Sequence, residues 1–269
     1  MLTTKIISAI ESIKDSQLLQ DGLYNINEWC TKWLVQLNQE KCKIMHIGYH
    51  NENYDYYIQD SSNTPCLIQS TQCEKDLGVM IQSDLKWHKQ VEYVCSRANR
   101  IIGMLRRTFV YLNARMVSQL YKVFVRPHLE YAVSIWCPYH IGDIKQLDRV
   151  QHRMTRLMPN LRCIPYEERL RLLNLPSLCE RRVRGDLIQM HKLVNGVDNI
   201  SWYSGDFYNL PVSNRMITRG HDLKIVKDIV RGCDVRFNFF RNRVFGPCNS
   251  LSYEAVHADS LNAFKNCIK

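Results

Sequence analysis

No run of 18 consecutive apolar residues occurs in this chain of 269, so no segment reads as a membrane-spanning helix. No signal-peptide pattern follows Met1. No two cysteines stand at the C-x-x-C spacing, which removes the ordinary zinc-ribbon and thioredoxin-type motifs. Internal repeats and low-complexity segments are also lacking, so solenoids and disordered linkers are excluded as the overall class. The sole adjacent acidic pair is Glu167-Glu168. These absences set the expectation of a soluble, intracellular protein of the cytoplasm or nucleus, without a membrane partner.

Cysteine itself is not scarce. Cys30, Cys42, Cys66, Cys73, Cys95, Cys137, Cys163, Cys179, Cys233, Cys248 and Cys267 are scattered and odd in number. Most fall at apolar positions of the local pattern, as reduced core cysteines of an intracellular protein do. A set of Cys66 and Cys73 with His46 or His50 matches no common zinc spacing, so no metal is assigned. His46, His88, His128 and His152 have no carboxylate or cysteine at ligand spacing, and no chemistry is assigned to them.

The hydrophobic content of 45% suffices for a sizeable core, in one large domain or two small ones. Charge is the more telling property. The formal net charge is +10, which favours polyanionic partners, nucleic acid before an anionic membrane. Residues 1–96 hold 8 Lys and Arg against 12 Asp and Glu, residues 97–192 hold 18 against 7, and residues 193–269 hold 10 against 7. The excess therefore belongs to the middle third. Arg far outnumbers Lys there, and the guanidinium fork suits phosphate.

Apolar spacing gives the elements. Leu19, Leu23, Ile26, Trp29 or Cys30, Trp33 and Leu37 predict a helix over 17–37. Strands are expected at 43–47, 54–59, 66–69 and 77–81, with a turn-rich connector at 60–65. Gly78 falls inside the last of these, where it marks a bulge or a close backbone approach. From Trp87 onward a helical stripe runs through Val91, Val94, Cys95, Ala98, Ile101, Ile102, Leu105 and Phe109. Arg97, Arg100 and Arg107 share another face. Asn113 is a candidate N-cap, with Val117, Leu120, Tyr121 and Phe124 as the core face of its helix. Pro127 opens the next helix, which Leu129, Ala132, Val133 and Trp136 continue to Pro138. A helix over 143–158 turns Ile144, Leu147, Val150, Met154 and Leu157 inward and Lys145, Arg149, His152, Arg153 and Arg156 outward. Ser177 and Glu180 form a capping box for a helix that stops at Asn195-Gly196. Arg181, Arg182 and Arg184 lie near the positive end of its dipole and call for an anion nearby. Residues 225–230 and 235–244 read as strands or short helices, and 255–268 as a closing helix. Trp29, Trp33, Trp87 and Trp136 are expected in the core.

In their order these residues resemble the C-terminal portion of non-LTR (LINE-type) retrotransposon reverse transcriptases. The resemblance runs through Trp29, Trp33, Asn38-x-x-Lys41-Cys42, Lys75-Asp76-Leu77-Gly78-Val79 and Leu85-x-Trp87. It continues through Leu120-Tyr121, Val125-Arg126-Pro127-x-Leu129-Glu130-Tyr131-Ala132 and Leu147-x-x-Val150-Gln151-x-Arg153. Tyr166-x-Glu168-Arg169-Leu170, Arg181-Arg182-x-Arg184-Gly185-Asp186-Leu187-Ile188 and Thr218-Arg219-Gly220-His221 complete it. It implies an α+β, mainly helical fold: a small antiparallel sheet at the end of a palm (1–85), a thumb-like basic bundle (86–196) and a C-terminal region (197–269). Leu77, Gly78 and Val79 then resemble the primer grip, a hairpin that holds the primer end. Lys41 resembles the lysine that protonates the leaving pyrophosphate, a role that needs a complete active site. Arg97, Arg100, Arg107, Arg149, Arg153, Arg156, Arg181, Arg182 and Arg184 become candidate contacts to the backbone of an RNA–DNA or DNA duplex.

The chain departs from the family where chemistry is concerned. Phosphoryl transfer by two metals needs paired carboxylates, and the family's Tyr-x-Asp-Asp stretch does not occur here. Aligned on the following Thr-Lys, Leu2 and Thr3 occupy the carboxylate positions. The family's Trp-Asn-x-Leu-Pro appears as Cys248-Asn249-Ser250-Leu251-Ser252, and Gln90 stands where a histidine usually follows Leu-x-Trp. Magnesium is expected for the complete family enzyme and no cofactor or small-molecule substrate for this chain alone. The expectation is a catalytically inactive polymerase fragment that binds nucleic acid weakly and without sequence choice. A helical protein-interaction module and an inert product of a decayed element stand as alternatives.

Overall fold

The computed structural model describes residues 4–35, 37–60, 64–198, 200, 221 and 223–268. They are mainly helical with small sheets, an α+β arrangement. The chain divides into two compact units, 1–86 and 87–269.

The first unit opens with α1 (Ile13–Lys32). Ser12 and Asp15 form its capping box: the Asp15 carboxylate accepts from Ser12 N at 2.8 Å. A 3-10 turn follows at Gln39–Lys41. Six short strands complete the unit: β1 (Lys43–Ile44), β2 (Tyr57–Gln59), β3 (Pro65–Leu67), β4 (Gln69–Ser70), β5 (Cys73–Asp76) and β6 (Val79–Gln82). They pair two by two, β1 with β4 in parallel, β2 with β3 and β5 with β6 antiparallel. The helix is held on β2 through backbone polar groups. Gln20 donates to Tyr57 O at 2.8 Å and accepts from Tyr57 N at 2.9 Å, satisfying an edge strand with a side-chain amide. Cys30, Tyr56, Ile58 and Val79 are the buried apolar side chains among its described residues.

Two expectations for this unit are corrected. Trp29 and Trp33 are 55% and 62% exposed; they pack on each other at 6.4 Å between centroids on the outer face of α1. The sheet pieces are too small to cover a helix face that wide. Gly78 does not interrupt a strand. Asp76 pairs directly with Val79, so Leu77-Gly78 is the two-residue loop of a hairpin. Both have positive φ, 43° and 89°, as the tight turn favoured by strand twist requires.

The second unit contains α2 (His88–Thr108), α3 (Ala114–Leu120), α4 (Arg126–Glu130), α5 (Ile141–Thr155), α6 (Tyr166–Leu172), α7 (Leu178–Val194), α8 (Asp234–Phe237), α9 (Phe240–Asn249), α10 (Tyr253–Val256) and α11 (Leu261–Cys267). Of the predicted stripe α2 buries Val91, Val94, Cys95, Ala98, Ile102 and Leu105, while Ile101 and Phe109 are half-buried, and it also buries Gln90. The Asn113 side chain caps α3 by accepting from Met116 N at 2.8 Å. Ser177 and Glu180 form the reciprocal capping box of α7. Gly196, at φ 64°, ends α7 in the left-handed conformation suited to a helix stop.

Between α3 and α4 the chain makes a π-helical turn, Tyr121–Val125. It shifts the helical phase by one residue. Tyr121 and Val125 are buried, whereas Phe124, predicted as core, is 47% exposed. The wider turn lies directly before Pro127, whose ring would crowd the carbonyl four residues back in a regular helix. α4 stops at Glu130 rather than running on to Pro138. Ala132 takes φ 53°, and the chain folds back so that the Trp136 indole donates to Tyr131 O at 2.7 Å while the ring is fully buried.

Residues 223–268 share a core with α7: Leu187, Met190 and Leu193 pack with Ile225, Phe240, Val244 and Phe264. Residues 223–230 form no strand, and the expected closing helix is divided between α10 and α11, the second capped by Ser260. Cys163, Cys179, Cys233 and Cys267 are exposed rather than core, and Trp87 is half-buried.

Candidate nucleic-acid interface

α2 and α5 pack against each other through their apolar stripes, which leaves their polar faces to solvent. Arg97, Arg100 and Arg107 on α2 and Arg149, Arg153 and Arg156 on α5 are all exposed. The two faces are joined by one bond: Arg153 Nη1 donates to Asn99 Oδ1 at 3.1 Å. Arg97 donates to the Tyr93 hydroxyl at 3.3 Å. Arg106, which the spacing argument passed over, is exposed beside Arg107 in the last turn of α2. Arg107 and Arg153 lie in last turns and Arg156 caps α5, where a cation also complements the helix dipole.

The arginines of α7 are placed differently. Glu130 supplies the anion that their position called for: Arg181 Nε and Nη2 donate to its two oxygens at 2.9 and 2.7 Å. Arg182 is buried, 6% exposed. Arg184 donates to Lys265 O at 2.9 Å and so fastens α11 to α7. Of the nine arginines the sequence singles out, the six on α2 and at α5 are exposed, whereas Arg181 and Arg184 are half-buried and bonded within the fold and Arg182 is buried. A further buried arginine, Arg169, is 1% exposed. It donates to His152 O near the end of α5 and lies at the same 3.4 Å from His152 Nδ1, and its guanidinium sits over the Tyr166 ring. Burial and the neighbouring charge of Arg169 push the His152 imidazole below its ordinary value, towards the neutral form.

In the first unit, Asn38-x-x-Lys41 is a capped 3-10 turn. Asn38 Oδ1 accepts from Lys41 N at 3.1 Å, and the Cys42 thiol lies 3.3 Å from Asn38 O. The three-residue spacing is thereby explained by local capping. The Lys41 side chain is exposed. Leu77 stands at the hairpin tip, 81% exposed, and Val79 is buried beneath it.

No group of three or more His, Cys, Asp or Glu among the described residues is arranged to hold a metal ion. Glu167 and Glu168 lie in the first turn of α6, where acids complement the dipole, and Glu168 pairs with Arg171 at 3.1 Å. Leu2, Thr3 and the Thr218-Arg219-Gly220 stretch lie outside the described residues. His221 is fully buried, with Nε2 3.1 Å from Cys248 O.

One pairing escaped the sequence argument because 55 residues separate its members. His88 Nδ1, at the start of α2, lies 2.8 Å from a carboxylate oxygen of buried Asp143, in the first turn of α5. His140 stacks on His88 at 5.0 Å. This contact fixes the starts of the two helices that carry the basic faces.

Comparison with known proteins gives a distant relation. No protein-family model matches the chain, and no solved structure matches it. An uncharacterized protein of Caenorhabditis elegans is 27% identical over 124 residues, 45% of this chain and 63% of that one. The "Probable RNA-directed DNA polymerase from transposon X-element" of Drosophila melanogaster is 21% identical over 150 residues, 52% of this chain and 15% of that one. The chain thus spans less than two thirds of the first protein and a small part of the second. It has a weak, partial similarity to a transposon polymerase, a distant reverse-transcriptase-like relation.

Proposed function

We propose that this protein is a fragment of a retrotransposon RNA-directed DNA polymerase, inactive in synthesis by itself, whose helical unit binds the sugar–phosphate backbone of an RNA–DNA or DNA duplex without choosing sequence. The observation that carries the reading is the pair of open arginine faces on α2 and α5, linked by the Arg153–Asn99 bond. The partial similarity to the X-element polymerase supports the descent. The charge distribution agrees with it, since the basic excess falls in the segment that holds these two helices.

Titration of an RNA–DNA duplex at several salt concentrations tests the binding. Each phosphate neutralised contributes a slope of about −0.9 in log K against log salt. Replacing Arg100, Arg149 and Arg156 together by alanine is expected to flatten that slope by about 2 to 3 and to leave the melting temperature unchanged. A wild-type chain that fails to bind, or binds with no salt slope, overturns the reading and favours a protein-interaction module. Template-dependent extension of a primer by the purified protein with magnesium or manganese overturns the inactivity.

A further inference from the structure

An open apolar groove lies along α3 and the π-helical turn that follows it. Met116, Gln119, Leu120, Val123 and Phe124 line it around a space of about 240 Å³. Val123 and Phe124 are 62% and 47% exposed. The π turn is the cause: it turns Tyr121 and Val125 inward and leaves the two apolar side chains between them facing outward. A soluble surface seldom keeps such a contiguous apolar strip unless something covers it.

The charge beside the groove says what kind of partner fits. Arg115 and Lys122 stand four residues before and three residues after Gln119, along the same side of the helix. Neither forms an ion pair among the described residues. From Arg97 to Gly142 the chain has a single acid, Glu130, and that carboxylate is held by Arg181 and Arg126. Among the described residues the cationic border of the groove therefore has no paired carboxylate. A second copy docked face to face would set Arg115 and Lys122 against themselves. A nucleic-acid strand would meet a lining in which Gln119 is the only polar side chain and Phe124 the only stacking surface.

We propose that this groove docks an amphipathic helical segment of a partner protein. Its large apolar side chains would enter between Met116 and Phe124, and its flanking Asp or Glu residues would meet Arg115 and Lys122. The site is distinct from the arginine faces of α2 and α5 and is independent of the nucleic-acid reading.

The test uses the full chain and two fluorescent helical peptides. One carries Leu at i, i+3, i+4 and i+7 flanked by Glu; its twin carries Lys in place of Glu. The acidic peptide is expected to saturate in the micromolar range and the lysine twin not to bind. Val123→Ser with Phe124→Ser is expected to weaken binding about tenfold or more at an unchanged melting temperature. Arg115→Glu with Lys122→Glu should weaken the acidic peptide and admit the lysine twin. Hydrogen exchange on the unaltered chain should show protection by the acidic peptide confined to residues 114–125. The proposal is overturned if the acidic peptide does not bind below about 1 mM, if protection falls elsewhere, or if the serine variant binds it unchanged. Displacement of the peptide by a single-stranded oligonucleotide whose own binding requires Phe124 would assign the groove to nucleic acid instead.

Discussion

His191 lies on the buried side of α7 with its ring 4.1 Å from that of Phe264. Neither ring nitrogen has a hydrogen-bond partner among the described residues. Burial therefore pushes its imidazole below the ordinary value. His152 and His128 move in the same direction, each chiefly by burial and then by a neighbouring arginine. The unfolded chain takes up these protons at higher pH than the folded one does. Stability is thus complete above the ordinary histidine value of about 6.5 and is lost as pH falls through it towards the folded values. Urea unfolding between pH 8 and 5 should show this fall. His191→Phe, which keeps the ring contact and removes the titrating group, should make it shallower; an identical fall in the variant refutes the assignment. Periodicity already put His191 on a helix near its end, but its burial comes from α11, which no local pattern announces.

At the scale of elements, the hairpin of β5 and β6 shows what a motif at the level of residue types can and cannot say. Lys75-Asp76-Leu77-Gly78-Val79 signalled an unusual backbone at Gly78, and the resemblance supplied the hairpin. The strand pattern alone placed the glycine inside a strand, because Leu77 looks like a strand residue. A leucine at φ 43° is strained, whereas asparagine tolerates that conformation. Leu77→Asn, which installs the preferred Asn-Gly turn, should stabilise the first unit by about 0.5–1 kcal/mol. Gly78→Val should destabilise it by about 1–2 kcal/mol. Hydrogen exchange at the amides of residues 73–82 in increasing urea reads both, and the same sign for the two variants would contradict the turn assignment. The π turn is a parallel case. Proline at 127 reads as a helix start, but its steric demand on the preceding turn leaves no local sign, so spacing alone puts Phe124 inward.

At the scale of the molecule, long-range polar contacts complete the second unit. Arg243 of α9 donates to both oxygens of Asp186 on α7, at 2.8 and 3.0 Å, and to Ser134 O at 2.7 Å. One guanidinium thereby ties the C-terminal helices to α7 and to the segment after α4. Both partners are largely buried. Removing one leaves the other uncompensated, which costs about 3–5 kcal/mol. Arg243→Ala should lower unfolding free energy by that amount and expose the amides of α9 to exchange. Asp186→Leu with Arg243→Met should lose less, because both members of the pair leave together and only the weaker interaction of Asp186 with Arg182 is lost besides. A loss in the double variant as large as in the single one would show that the ion pair is not what holds these helices.

The sequence by itself determined the helical stripes of α2 and α5, the caps at Asn113 and Ser177, the stop at Gly196 and the basic middle third. Each depends on residues within one or two helical turns, and local sterics and hydrogen bonding decide them. Tertiary structure alone decided which arginines stay at the surface. Arg97, Arg100, Arg107, Arg149, Arg153 and Arg156 remain exposed, while Arg181 and Arg182 are taken into the fold. The deciding partner, Glu130, is 51 residues away. A charged side chain's availability depends on which opposite charge and which apolar wall the fold brings to it, and spacing along one helix carries no record of either.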